Sequence, residues 1–120
     1  MKVVFIDDQK DICDLMQIIL GEELSSDIVC FHETQSAKEY LDEHKQEISI
    51  IVCDYNLPKE NGISFFERIE HMNLPFILIT GEVYDKDDPA LVNFGHKKGC
   101  EVMFKPTREK DLVAMIKSMT

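Results

Sequence analysis

No apolar run in this chain of 120 residues approaches the roughly 18 that a membrane-spanning helix needs. Lys2 leads directly into a short strand-like run, without the charged and apolar regions of an export leader. Neither a membrane partner nor a leader is expected. Cysteine is sparse and unpaired: Cys13, Cys30, Cys53 and Cys100 form no CxxC, which argues against a zinc site or a disulfide framework. They read as small core residues suited to a reducing cytoplasm. Positive charge is also short, with 13 Lys and Arg against 23 Asp and Glu and a net charge of −10. Such a chain repels phosphate backbones, so direct nucleic-acid binding is not expected, whereas cations and basic partners are favoured. No GxGxxG or GxxxxGK loop follows the first apolar run, which argues against a nucleotide-binding module. Linkers, repeats and low-complexity tracts are missing too, and 44% hydrophobic content is enough for one core. One domain over residues 1–120 is the expectation.

What the chain does contain is alternation. Five short apolar runs, KVVFI (2–6), DIVCF (27–31), ISIIVC (48–53), PFILIT (75–80) and EVMF (101–104), are rich in β-branched and aromatic residues. Their continuous apolarity suits strands buried on both faces. Between them the spacing is helical: Ile12, Leu15, Met16 and Ile19; Ala37, Tyr40 and Leu41; Ile63, Phe66 and Ile69; a weaker segment near 88–98 opened by Asp88-Pro89; then Leu112, Met115, Ile116 and Met119. Thr107 is a candidate cap for the last helix, and Gly21, Gly62 and Gly99 read as turn punctuation. Five strand-helix units are too few for a closed barrel. They predict an α/β fold, an open, doubly wound five-stranded parallel sheet of (βα)5 form, and if the order is the flavodoxin-like 2-1-3-4-5, strands one and three are neighbours at the reversal point.

In such sheets chemistry collects at the carboxyl ends of the strands, beside the point where strand order reverses. Strand one ends on Asp7-Asp8, strand three on Asp54, strand four on Thr80 and strand five before Lys105. An acidic pair at one strand end is by itself an ordinary loop start or helix cap. Joined at the reversal point, however, Asp7, Asp8 and Asp54 repel one another by roughly 1 to 4 kcal/mol per pair at effective surface dielectrics. A cation is expected between them, and hard oxygen donors suit Mg²⁺. With Lys105 as a second cation and Thr80 as a hydroxyl donor, the group suits phosphoryl chemistry, Asp54 being best placed as nucleophile. His32, His44, His71 and His96 are unclustered and read as surface or loop residues.

The motifs DD (7–8), DYNLPKENG (54–62), TGE (80–82) and KP (105–106) resemble those of the receiver domains of bacterial two-component response regulators. The resemblance implies phosphorylation of Asp54 by a sensor histidine kinase, a phosphotransfer protein or an acyl phosphate. It implies Mg²⁺ held by Asp8, Asp54 and the backbone carbonyl of Asn56, with Asp7 acting mainly through water. Thr80 and Lys105 would respond to the phosphoryl group, Gly81 would leave it accessible, and Pro106 would follow a cis bond. Asn56 and Glu82 stand at positions that tune phosphoryl loss. A downstream partner or output domain is expected, with no external product and a cytoplasmic setting. Helix five ends at Thr120, compatible with a stand-alone receiver or with part of a longer regulator. Val102 stands where the family often has Tyr or Phe, so its aromatic switch is not expected. The acidic stretch YDKDDP (84–89) lengthens the segment before helix four. Two alternatives stand beside this reading: a degenerate receiver serving as a docking module, and a phosphohydrolase of the haloacid dehalogenase type. The latter wants a second Asp where Gln9 stands.

Overall fold

The computed structural model describes residues 1–81 and 87–120. Elements run in strict alternation: β1 (Lys2–Ile6), α1 (Lys10–Leu24), β2 (Asp27–Phe31), α2 (Thr34–His44), β3 (Ile48–Asp54), α3 (Gly62–Ile69), β4 (Phe76–Thr80), α4 (Pro89–Gly95), β5 (Cys100–Phe104) and α5 (Glu109–Met119). All neighbouring strands pair in parallel, in the order β2-β1-β3-β4-β5. The predicted class and strand order are both borne out.

Successive residues of a strand face opposite sides of the sheet, so each apolar run supplies two cores. Val4, Ile6, Ile51, Cys53, Phe76 and Leu78 pack under α2, α3 and α4. Val3, Phe5, Ile50, Val52, Ile77 and Ile79 pack under α1 and α5. On the first side Phe66 meets Phe76 and Phe94 edge to face, each with ring centroids 5.1 Å apart, fastening α3 and α4 to β4. The order places β1 and β3 side by side with their crossovers on opposite sides, and the cleft at their carboxyl ends stays open.

Local readings fare less evenly. Gly21 lies inside α1, and the chain turns instead at Ser25, in the left-handed region with φ 52°. Thr107 does not cap α5: its hydroxyl donates back to the Phe104 carbonyl at 3.3 Å, and the helix opens after Arg108. Asp88 does cap α4, accepting from the Ala90 amide at 2.8 Å with Pro89 in the first turn. Residues 84–86 of the acidic stretch, and Glu82, lie outside the described residues. All four cysteines are free; Cys30 is half-buried and the others buried. Burial pushes the Cys30 thiol up to about 12 and the Cys100 thiol up to about 11, which makes both poor nucleophiles.

Candidate functional site

β1 delivers Asp7 and Asp8 to the cleft and β3 delivers Asp54, because the paired strands end level: Ile6 is opposite Cys53. Carboxylate oxygens of the three residues lie within 4.8 Å of one another, the one acidic or thiol cluster of that kind among the described residues. Asp7 and Asp54 are buried, at 4% and 5% exposure, while Asp8 faces solvent. Burial raises the pKa of Asp7, opposed by the Gln9 amide, which donates to its Oδ1 at 2.9 Å; the negative charge of Asp54 adds to the rise.

Asp54 is held from two directions. The Asn56 amide donates to its Oδ1 at 3.3 Å, and Lys105 Nζ approaches its Oδ2 at 3.3 Å. β5 brings that lysine in: its amide donates to the Thr80 carbonyl at 2.8 Å, and the Lys105–Pro106 peptide bond is cis. Thr80 ends β4 one residue past Ile79, the partner of Asp54 in the sheet register, and is 1% exposed. Gly81 leaves space, since a Cβ there would come no closer than 3.6 Å to Lys105 Cδ. The cleft continues from these polar groups along Ile12, Leu15 and Met16 of α1 and Leu112 of α5, enclosing about 530 Å³.

The structure thus gathers Asp7, Asp8, Asp54 and Lys105 at one cleft, with Thr80 at the adjoining strand end and Asn56 on the loop after β3. Two supports had no sequence signal. Asp7's backbone carbonyl faces both Cys13 Sγ and His32 Nδ1 at 3.3 Å, joining α1 and the β2–α2 turn to the end of β1. Glu60, in the same loop as Asn56, is bound by Arg68. A glutamate among loop residues looks like solvated charge until the partner eight positions on is seen to face it.

A sequence model of the response regulator receiver domain matches residues 3–117. The chain belongs to this family. Among its relatives are the two-component response regulators ARR10 and ARR12 of Arabidopsis thaliana, 27% and 25% identical over 114 residues. Those alignments cover 93% of this chain but 20% and 18% of the relatives, so the receiver spans about a fifth of their length. Solved structures with the same fold include a response regulator receiver domain protein from Clostridium thermocellum, 22% identical with a TM-score of 0.85. That match covers 98% of this chain and 92% of the other. A two-component response regulator from Clostridium difficile is also 22% identical, with a TM-score of 0.83 over 99% and 94% of the two chains. These matches come from both plants and bacteria and show no bacterial source for this chain.

Receiver domains are signalling modules rather than enzymes that turn over a substrate, and they generally bind Mg²⁺ at an acidic pocket. The donor set of this receiver fits such an ion: three hard carboxylates, two of them buried, gathered with the ammonium of Lys105 against Asp54. Among the described residues no helix is long and apolar enough to cross a membrane.

Proposed function

We propose that this receiver is a phosphorylatable switch of a two-component system, with Asp54 as phosphoacceptor. The observation that carries this reading is a buried carboxylate beside two others, with a lysine ammonium 3.3 Å away. One oxygen of Asp54 attacks the phosphorus of a phosphohistidine or acyl phosphate. The P–N or P–O bond breaks, its electron pair leaves with the imidazole or carboxylate, and an acyl phosphate remains on Asp54. Asp8, Asp54 and the Asn56 carbonyl would hold Mg²⁺, with Asp7 in the outer ring, and the bound ion would offset charge gathering on the phosphoryl oxygens. Lys105 neutralises a further oxygen, and the Thr80 hydroxyl donates to the group once it arrives. Gly81 keeps the approach open.

A phosphodonor protein has an apolar approach path, since Leu15, which lines the cleft, and Ile18 further along α1 are 45% and 61% exposed. A histidine kinase or phosphotransfer protein is the partner proposed on that side, and a downstream protein or output domain receives the signal, all in the cytoplasm. Val102 packs against α4, so at its own position rearrangement would proceed by aliphatic packing rather than by rotation of an aromatic ring.

The test is incubation with acetyl phosphate and Mg²⁺ followed by intact mass. A single acid-stable, base-labile adduct is expected, absent in Asp54→Asn and absent when Mg²⁺ is chelated. No adduct, or one that survives Asp54→Asn, would refute the assignment.

A further inference from the structure

The loop that carries Asn56 leaves β3 and returns to α3 as an exposed arc, yet the proposed function needs its carbonyl held beside Asp54. The residues flanking the arc on both sides are anchored: the Tyr55 amide donates to the Ile79 carbonyl at 2.8 Å, and the Gly62 amide donates to the Tyr55 carbonyl at 2.9 Å. Between these anchors Lys59 adopts φ 72°, a left-handed conformation costly for a residue with a Cβ, in a tight turn that the Glu60 amide closes by donating to the Pro58 carbonyl at 2.9 Å. Glu60 is placed to hold it. Its carboxylate receives both Nε and Nη2 of Arg68 on α3, the former at 3.3 Å, and also the hydroxyl of Thr34 at the start of α2. Thr34 is 5% exposed, and the Glu60 side chain 19% exposed despite its charge. Burial acts against the ionised carboxylate; the Arg68 and Thr34 contacts outweigh it and keep the pKa of Glu60 below its ordinary value.

We propose that Glu60 is a positioning residue of the phosphorylation site: tied to α2 through Thr34 and to α3 through Arg68, it pins the far end of the 56–60 arc and so fixes the Asn56 carbonyl beside Asp54. This rests on the phosphoacceptor reading of Asp54. It differs from an ordinary surface ion pair, which would contribute a little to stability and nothing to the site. Glu60 has one partner on each neighbouring helix, so loosening either lets the carbonyl drift from the carboxylates.

The wild-type chain, Glu60→Leu, Glu60→Gln and Thr34→Val are compared in three measurements: Mg²⁺ titration followed by tyrosine fluorescence, amide hydrogen exchange without metal, and acetyl phosphate labelling. Tyr55 adjoins Asp54, and the chain has no Trp to mask it. Glu60→Leu is expected to weaken Mg²⁺ binding about 10-fold, the usual effect of losing a support behind a metal ligand. Exchange should quicken at residues 56–60 while β1 and β3 keep their protection. Glu60→Gln, which retains the shape and part of the hydrogen bonding, and Thr34→Val should fall between. The double exchange Glu60→Arg with Arg68→Glu should recover most of the affinity. Unchanged affinity and unchanged loop exchange in folded Glu60→Leu or Glu60→Gln overturn the proposal. So does exchange that quickens evenly over the whole sheet, which would mark a loss of global stability. A wild-type chain that binds Mg²⁺ but takes no phosphoryl group overturns the reading of Asp54 instead, and the labelling experiment registers that separately.

Discussion

A Cβ on Gly62 would lie 2.5 Å from Leu78 Cδ1 and 2.9 Å from the carbonyl oxygen of Asp54. The leucine methyl can rotate away, but the carbonyl is pinned by the end of β3. Gly62→Ala should therefore destabilise the chain by about 1–3 kcal/mol, the usual cost of overpacking, as read from urea unfolding. At Gly81 the nearest atom would be Lys105 Cδ at 3.6 Å, an ordinary contact. Gly81→Ala should change stability by no more than about 0.5 kcal/mol in the same assay. Both glycines stand at an element boundary, Gly62 opening α3 and Gly81 following β4, and nothing in their spacing tells them apart. The difference is what the fold sets against each. Gly21 makes the complementary point: a glycine tolerated within a long helix looks the same in sequence as one that ends it.

Elements were the most legible level. Each apolar run became a strand within one residue of its sequence bounds, because runs of β-branched and aromatic residues flanked by polar turns have few other stable conformations in water. Caps and clasps were less legible, since they depend on what a side chain meets. Thr107 has the right chemistry for a cap, but its hydroxyl finds the Phe104 carbonyl first. The clasp of Glu60 between α2 and α3 has a pH signature. Its folded pKa lies below the ordinary 4.5, so its contribution to stability is present above that value and is lost as pH falls through the folded pKa. The stability difference between wild type and Glu60→Gln, followed by thermal melting in metal-free buffer, should stay constant above pH about 5 and shrink on further acidification. A difference that widened in acid would contradict the clasp.

For the whole molecule the dominant electrostatic fact is the net charge of −10, with three of its carboxylates gathered in one cleft. An ion that binds the folded cleft and not the unfolded chain raises stability by mass action. Mg²⁺ at ten times its dissociation constant should add about 1.4 kcal/mol. Melting in MgCl₂ is to be compared with NaCl at matched ionic strength, because salt alone relieves self-repulsion among acidic groups. Equal gains in the two salts would mean general screening rather than a site.

Much about this protein was determined by sequence alone: five strands, their alternation with helices, and a polar residue at nearly every strand end facing the reversal point; the edge strands β2 and β5 are only partly buried, because each has a neighbour on one side. Those features follow from local hydrophobicity and from the handedness of parallel crossovers, which leave few other arrangements. Tertiary structure decided how the acids differ from one another. Asp7 is buried and Asp8 exposed although they are neighbours; Asp54 receives an ammonium from a lysine 51 positions away; and Glu60 stays charged because two helices face it. Burial and charge pairing depend on which distant segments meet, and that is settled only when the sheet closes around them.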